Sequence, residues 1–254
     1  MEEIYKYNKQ ISRFYDIVYE NLKKDFGHKY YLEEISNAKG PVLEIGAGTG
    51  RIFVPALQKG ADIYGIDQSE LMTEKLREKI KEEDFVRLSI QDAREFSIDQ
   101  KFKLIIAPFR MFSHLLSIED QLKTLERVYE HLEPGGKFIF DVFIPDYASM
   151  AADAEDIVEF EGEYEPGKML KRLVSRKQSN INQIVSLTFR FIWDENGKLN
   201  EDTCYFPFRY YFRYELENLI ARSKLKMDKI YGGFERSELT GESKEFIVVC
   251  FKND

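Results

Sequence analysis

The sequence predicts an α/β, doubly wound fold: a seven-stranded, mostly parallel sheet with an antiparallel β insertion after strand five. Three observations carry this. From Pro41 onward short apolar runs alternate with amphipathic segments of helix length, and such pairs build parallel sheets. The first run, Val42 to Ile45, feeds Gly46-Ala47-Gly48-Thr49-Gly50 and then a helical segment. Between Pro145 and Arg213 the pattern changes to strict alternation, the period of an antiparallel strand.

Taken in order, residues 4 to 36 carry Ile4, Tyr7, Ile11, Phe14 and Val18 at helical spacing, which predicts one or two helices lying against the body. Val42–Ile45 is a buried strand, 51–59 a helix, 61–66 a strand and 70–82 a helix. That helix has Ser69 as N-cap and a stripe at Met72, Leu76 and Ile80. Strands follow at 86–90 and 104–107. A helix over 117–132 has Ser117 and Asp120 spaced as a capping box, with Leu122, Leu125, Tyr129 and Leu132 facing inward. Glu133-Pro134-Gly135-Gly136 ends it, because Pro cannot continue a helix and Gly accepts the left-handed terminal conformation. A fifth strand spans 137–143. In the insertion, Val185, Leu187, Phe189, Phe191 and Trp193 alternate, Asp194-Glu195-Asn196-Gly197 turns, and Cys204, Phe206, Phe208 and Tyr210 resume. A helix over 215–224 and strands over 229–234 and 246–251 close the chain.

Composition excludes several classes of function. The 254 residues are 43% hydrophobic, enough for a full core. The net charge of -8, with no Lys/Arg run longer than a pair such as Lys23-Lys24, lacks the basic footprint of a nucleic-acid binder. Cys204 and Cys250 stand alone without metal-ligand spacing, so neither a disulfide nor a metal site is expected. The polar N-terminus and the lack of any apolar run of about 18 residues predict no membrane association and a cytoplasmic protein.

The glycine loop carries the chemistry. Glycines after a strand let backbone N–H groups approach a polar ligand where side chains would block it. A dinucleotide fingerprint needs G-x-G-x-x-G, but Arg51 occupies its third glycine position and the glycine falls at Gly50. A carboxylate at the end of the second strand, Asp67, can accept both hydroxyls of a ribose.

Leu43-Glu44-Ile45-Gly46-Ala47-Gly48-Thr49-Gly50, Gly65-Ile66-Asp67, Ser89-Ile90-Gln91-Asp92-Ala93 and Leu132-Glu133-Pro134-Gly135-Gly136-Lys137 occur in this order. Together they resemble the motifs of the class I S-adenosylmethionine-dependent methyltransferases, a Rossmann-like fold, over nearly the whole chain. The resemblance implies binding of S-adenosylmethionine, with S-adenosylhomocysteine as product, through Glu44, Gly46, Ala47, Gly48, Thr49, Gly50, Asp67, Gln68, Met72 and Ala107. It implies that Gln91, Asp92 and Ala93 frame the adenine. Tyr7 and Tyr15-Asp16 resemble the segment preceding the first motif in bacterial small-molecule methyltransferases, including sugar-amine N-methyltransferases, whose tyrosines approach the cofactor. Simple helix packing is the alternative for both tyrosines.

Catalytic candidates follow strand four in Ala107-Pro108-Phe109-Arg110-Met111-Phe112-Ser113-His114, since ligands bind at the carboxyl ends of parallel strands. His114 is the candidate base; the alternative is a half-buried histidine satisfied by backbone. Arg110 is placed to hold a carboxylate of substrate or cofactor, or is a surface arginine. Ala107-Pro108-Phe109 departs from the acidic or Asn residue before Pro-Pro-aromatic that methylators of nucleobase or glutamine amino groups carry. The expected partner is therefore a small soluble acceptor methylated on N or O, the chain acting as monomer or homodimer. A catalytically silent S-adenosylmethionine-binding protein and an RNA methyltransferase are the alternatives. The apolar face of the insertion requires a cover. A roof over the acceptor pocket on the domain of residues 1–144 and 214–254 is expected, with a dimer contact as the other option.

Overall fold

The computed structural model describes residues 8–22, 26–146 and 152–253; Ile4 and Tyr7 lie outside them. In chain order the elements are α1 (Lys9–Leu22), α2 (His28–Asn37), β1 (Val42–Ile45), α3 (Phe53–Gln58), β2 (Ile63–Asp67), α4 (Glu70–Arg77), β3 (Leu88–Ile90), β4 (Phe102–Ala107), α5 (Ile118–His131) and β5 (Leu132–Phe143). There follow β6 (Ala154–Glu165), β7 (Lys168–Ser179), β8 (Ile184–Glu195), β9 (Lys198–Arg209), α6 (Arg213–Ala221), β10 (Lys226–Tyr231) and β11 (Glu245–Phe251). The described residues divide into two units: those up to Phe26 with Asp146–Arg209, and Gly27–Pro145 with those from Tyr210 on.

The second unit holds a seven-stranded sheet of order β10-β11-β5-β4-β1-β2-β3, with β11 antiparallel to both neighbours and the other pairings parallel. Every residue of β1 is buried, as a strand covered on both faces requires. One core cluster joins Leu43, Phe112, Phe138, Phe140 and α6; the other joins α2, α3 and Ile139.

Several boundaries differ from the sequence expectation. α4 stops at Arg77, and a 3-10 turn over Glu82–Arg87 takes the place of the expected start of β3, leaving Val86 85% exposed. The buried face of α5 is Gln121, Thr124, Leu125 and Val128, one position off the expected stripe, with Leu122 and Tyr129 only partly covered. Ser69 and Ser117 cap as expected, accepting from the Met72 and Asp120 amides.

In the first unit the insertion is a four-stranded antiparallel sheet, β6-β7-β8-β9, rather than a single hairpin. Its acidic first strand pairs with its basic second through Glu161–Lys171 and Glu159–Arg172, cross-strand pairs that fix register. Asn196 and Gly197, both at positive φ (56° and 72°), make the expected turn between β8 and β9. The sheet's apolar face is covered by α1: Ile11, Phe14 and Val18 share a buried cluster with Phe160, Phe189, Phe191, Trp193 and Phe206. The N-terminal helices therefore part company, α1 with the insertion and α2 with the seven-stranded sheet. This division by contacts differs from the expected domain of residues 1–144 and 214–254 carrying both N-terminal helices. The physical reason is that the insertion's aromatic face offers α1 a core of its own.

Candidate active site

The loop after β1 is built by glycines that no other residue replaces without strain. Gly46 and Gly50 sit at φ 75° and 87°, and a Cβ on Gly50 would lie 2.7 Å from Val54 Cγ2 and 2.8 Å from Leu76 Cγ. A Cβ on Gly46 would meet Met111 Cγ at 2.6 Å, which brings the segment after β4 directly against the loop. Ala47 and Thr49 are buried between these turns, and Lys79 donates to the Thr49 carbonyl at 2.7 Å.

Asp67, at the end of β2, closes the loop from the other side. Its Oδ2 accepts the Gly48 N–H at 2.8 Å and its Oδ1 the Ser69 N–H at 2.7 Å. Burial raises its pKa, and the two amide donors oppose that shift. Gln68 is exposed on the adjoining bend, while Met72 is buried under Gly48. Glu44, buried in β1, takes a hydrogen bond from the Phe53 amide that opens α3; burial and then the Asp67 charge raise its pKa well above the usual range. Its Oε2 is buried with no hydrogen-bond partner among the described residues, an uncompensated acceptor beside the glycine loop.

The residues after β3 are engaged with each other. Gln91 donates to Ser89 Oγ at 2.8 Å and accepts the Ser97 N–H at 2.8 Å. Burial raises the Asp92 pKa, but the Arg94 side chain, amide and charge outweigh it and hold the carboxyl low. Ala93 packs on the main core. Ala107 ends β4 fully buried.

Beyond Ala107 lies the feature that sequence reasoning missed. Phe109 and Arg110 both have positive φ, 57° and 65°, and the Met111 N–H bonds the Pro108 carbonyl at 3.2 Å. Positive φ at both central residues is the signature of a type I′ turn, which Gly, Asn and Asp normally occupy, and non-Gly residues there cost about 1–3 kcal/mol each. Asp141, buried in β5, accepts the Phe109 N–H at 2.8 Å on Oδ1 and the Arg110 N–H at 2.9 Å on Oδ2. Tyr31 of α2 donates its hydroxyl to Oδ1 at 2.6 Å. Burial raises Asp141 to about 6, with Tyr31 the first of the donors opposing it. The Arg110 guanidinium is ion-paired with the buried Glu245 of β11 and lies over the Phe143 ring. The signal available in the sequence was a lone acid in the apolar run Phe138-Ile139-Phe140-Asp141-Val142.

His114 ends the 3-10 turn Met111–His114, and burial pushes its pKa down to about 4. His131 instead joins α5 to the chain: Nε2 accepts the Ile98 N–H and Nδ1 faces the Arg127 carbonyl. Tyr15 lies on α1 in the other unit, its ring 4.5 Å from Tyr19; Tyr7 is outside the described residues. Thus Glu44, the glycine loop, Asp67 and Met72 converge, with Met111 leading from the loop toward Arg110 and His114.

Known proteins resemble this chain in part of its sequence and in its fold. Residues 42–136 match the methyltransferase domain family. YqeM of Bacillus subtilis (strain 168), which bears the name of a methyltransferase, is 29% identical over 113 residues, 44% of this chain and 46% of its own length. The dTDP-3-amino-3,4,6-trideoxy-alpha-D-glucopyranose N,N-dimethyltransferase of Streptomyces venezuelae is 24% identical over 132 residues, 50% of this chain and 54% of its own length. The chain spans about half the length of the curated relatives it matches. Among solved structures, an S-adenosylmethionine-dependent methyltransferase from Clostridium acetobutylicum superposes with TM-score 0.76 at 17% identity, over 96% of this chain and 100% of that one. DesVI of Streptomyces venezuelae superposes with TM-score 0.74 at 19% identity, over 96% and 99%. Residues 42–136 therefore match the methyltransferase domain family, and the chain has the fold of solved S-adenosylmethionine-dependent methyltransferases.

Proposed function

We propose that this chain transfers a methyl group from S-adenosylmethionine to the nitrogen of a small soluble acceptor. The observation that carries the reading is Asp67, whose two oxygens are tied to Gly48 and Ser69. It stands at the carboxyl end of β2, where an acid holds a ribose in this fold. The residues fit the cofactor: a Cβ on Gly46 or Gly50 would displace the Met111, Val54 and Leu76 packing that shapes the loop, and Glu44 Oε2 beside it is a buried polar atom with no hydrogen-bond partner among the described residues. Asp67 would hold the ribose hydroxyls, the Gly46–Gly50 amides the amino-acid part, and Ala93 with Met72 the adenine. Bound, S-adenosylmethionine supplies a methyl group on an electrophilic sulfonium. What remains for the chain is orientation, worth about 7–11 kcal/mol.

His114 is neutral at physiological pH, because its pKa is depressed to about 4. Such an imidazole does not strip an α-ammonium group titrating near 8, a gap of about four pK units or roughly 5 kcal/mol. It serves instead as a lone-pair acceptor that orients an amine arriving already neutral. Arg110, held by Glu245, shapes this side rather than offering a free charge. Nitrogen is favoured over oxygen by relatives bearing the names of a glycine/sarcosine N-methyltransferase from Aphanothece halophytica and of an amino-sugar N,N-dimethyltransferase, and by the similar fold of the sugar N-methyltransferase KedS8.

Titration calorimetry with S-adenosylmethionine, S-adenosylhomocysteine and NAD, followed by a methyl-transfer screen over glycine, sarcosine, glucosamine and matched hydroxyl compounds, tests the proposal. Binding of the first two alone and transfer to an amine is the expected result. Absence of S-adenosylmethionine binding, or transfer to hydroxyls only, would overturn it.

A further inference from the structure

The segment after β4 adopts a turn its own residues disfavour, so something outside it holds it. Within the second unit, Asp141 is the acid that meets it: both carboxylate oxygens sit on the consecutive amides of Phe109 and Arg110, at 2.8 and 2.9 Å. Two successive N–H groups converging on one anion form a nest, which binds carboxylates well. From α2, the Tyr31 hydroxyl completes the set and Tyr30 stands nearby; from β11, Glu245 takes the Arg110 guanidinium. The turn leads within four residues to His114 and places Met111 on Gly46.

We propose that Asp141 is a positioning residue for methyl transfer: its carboxylate fixes the Phe109–Arg110 turn and thereby the buried placement of His114. Asp141 touches neither substrate nor cofactor. The role of His114 toward an acceptor rests on the function proposed above, whereas the placement of His114 by Asp141 does not, and the two are measured separately.

The test uses the full chain and no acceptor. In Asp141→Asn one oxygen becomes an NH2 group that faces an amide donor. Two readouts are taken, the NMR shifts of the His114 ring at pH 8, where the Asp141 carboxyl is ionised, and amide protection over residues 109–114 as a function of pH. Burial pushes the His114 pKa down to about 4, so its ring is neutral at pH 8. In Asp141→Asn the ring shifts are expected to move toward those of an exposed neutral imidazole, with exchange over 109–114 at least about tenfold faster. S-adenosylmethionine affinity is expected to stay within about threefold, because the Asp67 clamp is untouched. Tyr31→Phe removes a donor yet keeps both amide contacts. It should raise the Asp141 titration, so that the loss of 109–114 protection that follows protonation of the carboxylate sets in at higher pH than in the parent, and it decides the matter if Asp141→Asn does not fold. An Asn variant with parental His114 ring shifts and exchange would overturn the proposal, as would a Tyr31→Phe variant whose 109–114 protection is lost at the same pH as the parent's. Loss of S-adenosylmethionine binding in the parent would overturn the proposed function and leave this placement standing.

Discussion

Asp67 does two jobs that one substitution can separate. Its carboxylate accepts the Gly48 and Ser69 amides and, in the proposed function, the ribose. Asp67→Ala should weaken S-adenosylmethionine binding by about 1.5–3 kcal/mol, the worth of hydrogen bonds to a charged group. Chemical denaturation should show a loss of stability of about 1–3 kcal/mol as well, because two amides lose their acceptor; a calorimetric affinity equal to the parent's would remove Asp67 from the site. For His114, Ala is expected to lower turnover at least about tenfold with cofactor affinity unchanged. Because the imidazole is neutral down to about pH 4, kcat/KM on an α-amine should rise with the acceptor's own ionisation near pH 8 and show no limb near 6.5. An acid limb at 6.5 that disappears in His114→Ala would instead make His114 a base.

At the scale of elements, α1 illustrates how a helix finds its partner. Asn8 caps it by accepting the Gln10 and Ile11 amides at 3.1 and 2.9 Å. Its apolar stripe then meets the insertion's aromatic face, Phe14 lying 5.0 Å from Tyr164 and 5.6 Å from Trp193. Arg13 reaches Glu195 at 2.8 Å from the same helix. Phe14→Ala is expected to destabilise this unit by about 3–5 kcal/mol, read as faster amide exchange in α1 and β8. Protection at β1 should not change, since Phe14 contributes nothing to the cores of the seven-stranded sheet; equal loosening of both units would contradict this division.

At the scale of the whole molecule, two buried groups pull stability in opposite directions with pH. Asp141 is raised to about 6, so the fold holds its proton more tightly than the unfolded chain and gains stability as pH falls from 6 toward 4. His114 is lowered to about 4, so its contribution is present above 6.5 and lost as pH falls from 6.5 to 4. His114→Gln removes only the second effect. Relative to the parent, the variant should gain about 2–3 kcal/mol of stability on going from pH 7 to 4.5; urea titrations showing no such difference would mean that His114 is hydrated in the fold. The sequence by itself determined the alternation of strand and helix, the glycine loop with Asp67 at its edge, and the turn at Asn196-Gly197. These are written in local periodicity and in residues whose conformational demands are fixed within a few positions. It did not reveal β6 and β7, because their charged residues satisfy one another across strands rather than through apolar alternation. Nor did it reveal that α1 belongs with the insertion, or that Phe109 and Arg110 turn on the carboxylate of Asp141, thirty-two and thirty-one residues away. Those choices were left to tertiary structure, because a buried charge and an apolar stripe declare only that a partner is needed, and which partner answers is settled by what packing brings within reach.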